Sequence, residues 1–194
     1  MTMTKAMLLA AAVALAGLPQ AQQTGSDDAR HVVERLSYGA RPGDIERVAG
    51  IGVDKYVEEQ LNPSRITRIP NVRLAPMLAR FESLGLSSSE MAARYYSRPD
   101  QNAPDPMKRR QANVPLTELS QQKILRAAYS ERQLEEVLVD FWFNHFNVFA
   151  GKGQFARFYL TEYEREAIRP HVLGRFRDML GATAESPAML WYLD

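Results

Sequence analysis

The stretch Glu135–Gly153, EEVLVDFWFNHFNVFAGKG, constrains the fold more than any other. Its Phe141, Trp142, Phe143, Phe146 and Phe149 make up half of the chain's 8 Phe and 2 Trp. Wound as a helix at about 100° per residue, it has one polar stripe: Glu136, Asp140, Asn144 and Asn147. Leu134, Leu138, Phe141, His145 and Val148 fall opposite that stripe, and Val139, Trp142, Phe146 and Phe149 fill a third sector. A helix that is apolar over most of its circumference is buried on most sides. Ser130-Glu131-Arg132-Gln133 matches a capping box, with Ser130 as N-cap and Gln133 at N3. Gly151-Lys152-Gly153 supplies a stop. The pattern predicts a central aromatic-rich helix over about 131–150. The other segments then pack around it as an all-α, multi-helix orthogonal bundle.

If the polar stripe is buried, each of its groups needs a partner, because an unpaired buried polar group costs about 1–3 kcal/mol. Arg-rich segments downstream are the available source. Inter-helix pairing or plain exposure is the first reading of the stripe, and the wall of a metal or substrate pocket is the second. His145, among Leu138, Phe141 and Val148, reads first as a core histidine and second as a ligand or acid–base group.

Met1–Ala21 has the form of a secretory signal peptide. Lys5 gives the positive start, Ala6–Leu18 is a short apolar run, and cleavage is expected after Ala21. The run is too short to span a bilayer, which needs roughly 20 apolar residues. Gln22–Ala29 is polar and reads as a flexible mature N-terminus. From about Arg30 to Asp194 the chain reads as a single helical domain. His31–Leu36 is a short helix. The segments that start at Pro42 and Val53 form a helical hairpin closed by Asn62-Pro63. Helices are predicted over Val72–Leu84 and Glu90–Tyr96, the second with a Ser cap. Arg98–Val114, with Pro99, Pro104 and Pro106, reads as a long loop whose Lys108-Arg109-Arg110 run is solvated. Further helices are predicted over Pro115–Ser130, Gln154–Ile168 and Pro170–Ala184. In the last of these His171, Arg175 and Asp178 share a side, read as a solvated ladder ahead of a His–Asp pair with an anion-binding Arg. Ser186-Pro187 opens a final helix. The abrupt end at Asp194, inside an apolar run, leads us to expect C-terminal truncation.

Composition removes several classes of function. The chain has 24 basic and 23 acidic residues, and Lys5 lies in the signal segment, so the remainder carries no net charge. A broad nucleic-acid surface needs a basic excess. With no cysteine, disulfides, thiolate nucleophiles and Cys-held metals are out. Gly-Lys-Gly lacks phosphate-loop spacing, and neither HExxH nor CxxCH occurs, which leaves a haem reading weakest. No motif specifies a cofactor.

Three blocks carry a resemblance. DFWFNHFNVFAGKG at Asp140–Gly153, IRPHVLGRFRDMLGATAESPAMLWYLD at Ile168–Asp194 and HVVERLSYGARPGD at His31–Asp44 resemble a large group of bacterial proteins known as domain of unknown function 1800. The likeness spans about Arg30–Asp194. It implies an exported helical protein longer than this chain, in which a further helical half follows the SPAML block. It implies no activity, but it places His145 and His171 in recurrent blocks. The first functional expectation is a cell-envelope binding or scaffold protein, periplasmic or extracellular. It has a possible envelope protein partner, no nucleic acid, and no stable membrane span after signal cleavage. The alternative is a periplasmic or secreted metal-dependent hydrolase. Its catalytic candidates are His145, His171 and Asp140, its metal candidates are His145 and His171, and the remaining ligands come from the absent half.

Overall fold

The computed structural model of the chain describes residues 20–63, 73–98, 105–153 and 155–194. Among these there are eleven α-helices and no strand, so the all-helical class stands. The chain divides into two compact units, one ending at Glu58 and one spanning Glu59–Asp194, where the sequence suggests a single domain over 30–194.

The first unit holds α1 (Gln20–Leu36), α2 (Asp44–Ile51) and most of α3 (Val53–Leu61). The expected signal peptide Met1–Ala21 lies, apart from its last two residues, outside the described residues. The stretch 22–29, expected to be flexible, is part of α1. The reason is a buried stripe at i, i+4 within a polar sequence: Ala29 and Val33 are shut off from solvent and pack with Val48 and Tyr56. Asp44 fixes the entry to α2 by accepting from the Arg41 backbone N–H at 3.0 Å and from its Nε at 2.9 Å.

The second unit runs through α4 (Leu74–Leu78), a 3-10 turn (Glu82–Gly85), α5 (Ser88–Tyr95), α6 (Pro106–Ala112), α7 (Val114–Tyr129) and α8 (Gln133–His145). It continues with α9 (Ala156–Glu162), a π-helical segment (Tyr163–Ile168), a second 3-10 turn (Arg169–His171), α10 (Phe176–Ala184) and α11 (Pro187–Leu193). Its main core joins Leu119 of α7, Val139 of α8, Val148, Leu160, Tyr163, Ile168 and Ala188. The most continuous burial runs along Ala156–Ile168, where Phe158, Thr161, Tyr163, Glu164 and Ile168 are almost solvent-free.

Several elements differ from the sequence reading, each for a local reason. The helix expected over about 131–150 is α8, which begins at Gln133 and ends at His145. The expected capping box does not form: the N-cap is Arg132, without a side-chain cap, and Ser130 closes α7 instead. The Ser130 Oγ accepts from the Arg132 N–H at 3.2 Å, while Gln133 turns back to donate to the Ser130 carbonyl at 2.7 Å. The Gly-Lys-Gly serves another helix: Lys152 donates to the Trp191 and Tyr192 carbonyls at the end of α11. Gly153 has φ +66°, and a Cβ there would meet the Trp191 ring at 3.3 Å, so a side chain at this position would be strained. Within the expected loop at Arg98–Val114, Pro106–Ala112 is α6. Asp105 caps it, accepting from the Met107 N–H at 2.8 Å, and Pro106 fills its first turn; residues 99–104 lie outside the described residues. Ser87 and Glu90 close a full capping box on α5, as the serine run suggests.

Thr161 is buried to 1% exposure, and its Oγ1 has no hydrogen-bond partner among the described residues. A buried unpaired hydroxyl costs about 1–3 kcal/mol. Thr161→Val keeps the shape and removes that cost. Chemical denaturation of the chain is expected to show a gain of about 1 kcal/mol; a loss of stability would mean that the hydroxyl is satisfied.

Candidate ligand-binding cleft

The second unit is keyed by a buried ion cluster. Arg169, 16% exposed, places one Nη 2.9 Å from Glu136 and 2.8 Å from Glu164, carboxylates that are 5% and 1% exposed. Its other Nη lies 3.6 Å from Glu135. α7 joins from the far side: Arg126 donates to Glu136 at 3.3 Å and to Gln122 at 3.2 Å, and Gln122 donates to Glu164 at 3.2 Å. Burial alone would pull the Arg169 guanidinium down; the carboxylates of Glu136 and Glu164 outweigh that and hold it well above its usual range.

The π-helical segment has two working sides. Glu164 enters the ion cluster, while Tyr163, Glu166 and Ala167 line an open recess of about 190 Å³. A neighbouring recess of about 420 Å³ shares Ser88, Tyr159, Glu162 and Pro187 with it. Together they form a cleft walled by α5, α9, the π-helical segment and the start of α11. Ser88 fixes the shared wall: its N–H donates to Glu162 Oε2 at 2.7 Å and its hydroxyl donates to the same oxygen. The Tyr163 hydroxyl points elsewhere and donates to the Phe146 carbonyl at 2.8 Å; burial pushes it up to about 12. Glu162, Glu166 and Glu185 give the cleft its polar character, and neither recess is lined by Lys, Arg or His.

The residues singled out by sequence lie elsewhere. His145, expected on a core face, is exposed at the end of α8, stacked on Phe141 at 5.8 Å between ring centroids and edge-on to Trp142 at 5.4 Å. Asp140 is 46% exposed and paired with Lys123 at 3.0 Å. His171 sits half-buried in the 3-10 turn. Arg175 is the extended residue that precedes α10, so His171, Arg175 and Asp178 do not share one helix. Among the described residues no group of three or more His, Asp or Glu is placed to hold a metal ion. Of the polar stripe, Glu136 is buried and paired, and Arg169 downstream is its partner; Asn144 and Asn147 are exposed. The cleft residues escape sequence reading because Ser88 of α5, Tyr159 and Glu162 of α9, and Glu185 after α10 are far apart in the chain. Its one local trace is the i, i+4 pair Glu162 and Glu166.

Residues 31–194 match the family described as protein of unknown function (DUF1800). The chain belongs to this family. No curated protein and no solved structure matches it. Within DUF1800, then, membership fixes kinship and leaves chemistry to the site. The blocks at Asp140–Gly153 and Ile168–Asp194 meet physically: Lys152 of the first holds the end of α11 in the second.

Removing Arg169 leaves the buried Glu164 with the neutral Gln122 and Glu136 with Arg126. Arg169→Met is expected to destabilise the chain by about 3–5 kcal/mol in denaturant titration; a change below about 1 kcal/mol would show the cluster to be dispensable. Tyr163 gives a pH signature. Its neutral form is favoured in the folded chain, so the stability it contributes is full below the ordinary tyrosine value of 10.0 and is lost as pH rises toward about 12. An ultraviolet titration is expected to show a tyrosine step at about pH 12, and Tyr163→Phe should remove it.

Proposed function

We propose that this protein is an exported binding protein of the cell envelope that holds a small ligand, or a side chain of an envelope partner, in the cleft between α5, α9 and α11. The observation that carries the reading is the cleft itself: a concave site with an apolar wall and a few fixed polar groups is the form that small-molecule sites take. Phe155, Phe158 and Tyr159 provide the wall, and Glu162, held by Ser88, provides the fixed polar group. No histidine lines the cleft to serve as a base for Ser88, which favours binding over acyl transfer. Export rests on the Met1–Ala21 pattern. Among the described residues, no helix is long and apolar enough to cross a membrane.

Two measurements test this. Expressed in a bacterium, the product should be recovered from the periplasm with Gln22 as its first residue by intact mass; a cytoplasmic product that retains Met1 sinks the location. In a fragment screen by amide NMR, hits should cluster on Ser88, Tyr159 and Glu162; hits that avoid these residues sink the site.

A further inference from the structure

We infer that the cleft takes an organic cation: a primary ammonium group on a short apolar chain. This rests on the cleft's being a binding site and names what it binds. Three carboxylates reach it from different elements, Glu162 from α9, Glu166 from the π-helical segment and Glu185 from the residue after α10. Among the described residues Glu162 accepts from neutral donors, the N–H and hydroxyl of Ser88, which fix its position. Glu166 is partly neutralised by Arg165 at 2.6 Å, itself anchored on the Leu84 and Leu86 carbonyls. Glu162 and Glu185 therefore leave a negative field in a recess that no Lys, Arg or His lines. An anionic ligand would meet that field directly.

A second set of observations selects the kind of cation. A hard divalent ion needs several oxygens converging at short range, and no such group exists among the described residues. The carboxylates instead border a wall of Tyr159, Phe155, Phe158 and Pro187. Tyr159 borders both recesses, and its ring, 6.1 Å from that of Trp191, is available to the face of an ammonium or its methylene chain. Recesses of about 190 and 420 Å³ suit a chain of a few carbons. An alkylammonium uses the whole site: its charge goes to the glutamates and its stem to the aromatic wall.

The test is titration of the full chain with 1,5-diaminopentane, 1,5-pentanediol and glutarate, by calorimetry and amide NMR at low salt. The diamine is expected to saturate, to shift Ser88, Tyr159 and Glu162, and to weaken as salt is raised. The diol and glutarate should bind at least about tenfold more weakly. Glu162→Gln with Glu185→Gln should weaken the diamine about fivefold to tenfold. Glu185→Gln alone, at an exposed position, should weaken it about threefold and guards against a folding defect at Ser88. Diol or glutarate binding at the cleft as tightly as the diamine overturns the cation and leaves the cleft. Diamine shifts spread over all acidic surface overturn the inference as non-specific attraction. No shift at these residues with any probe overturns the cleft reading and the inference together.

Discussion

Arg169 brings a full charge into a space where Glu136 and Glu164 are almost cut off from water, and their desolvation is tolerable only because all three meet. A buried ion stripped of its partner costs several kcal/mol, more than any single apolar contact in this unit can offset. That inequality sets how α8 is turned. Rotating Phe141 inward would recover the burial that it forgoes at 54% exposure, worth about 1–2 kcal/mol, but would carry Glu136 out of reach of Arg126 and Arg169. The ionic term wins, and α8 shows aromatic rings to solvent. α7 is tied into the same cluster through Gln122 and Arg126, so three segments are set by one group of charges.

This explains which parts of the fold were legible in the sequence. Helix N-termini with local chemistry were readable in kind: a serine cap ahead of α5, which starts at Ser88 and not at Glu90, and Ser186 with Pro187 on α11. Asp105 with Pro106 carries the same kind of signal, masked by surrounding prolines. The direction that α8 faces was not readable, because hydrophobic periodicity assigns Phe141 and His145 inward. Only the partner of Glu136, 33 residues downstream, reverses that. The end of α8 was misplaced for a related reason: Lys152 and Gly153 look like a helix stop but belong to a contact with α11, nearly 40 residues away. Even a local pattern could mislead: Ser130 and Gln133 read as a capping box, but α8 starts at Gln133, behind Arg132, with no side-chain cap.

The cleft was the least visible feature, and the π-helical segment shows why. Its wider turn places Glu164 in the ion cluster while Tyr163 and Ala167 border the recess. An α-helical reading of 154–168 holds the same residues but not that division. π-turns of this sort are often found at functional sites. Here the turn makes the ion cluster the backing of the cleft, so Glu166 is carried on a segment that cannot shift without separating buried charges. Membership of DUF1800 supplies no chemistry, so the side chains of the cleft carry the functional reading.

The attachment of α11 has a consequence for motion. This seven-residue helix is held by a serine cap, by Lys152 on its last carbonyls and by the ring contact of Trp191 with Tyr159, while Leu190 and Leu193 stay largely in solvent. Sparse burial of this sort marks the part of a protein that opens first, well before the whole unit melts. Yet α11 supplies Pro187 and Ala188 to the cleft wall. Anything seated in the cleft therefore stands against the first turn of this short helix, and occupancy and local opening oppose each other by mass action. The amide protons of Trp191 and Tyr192 become a gauge of whether the cleft is full.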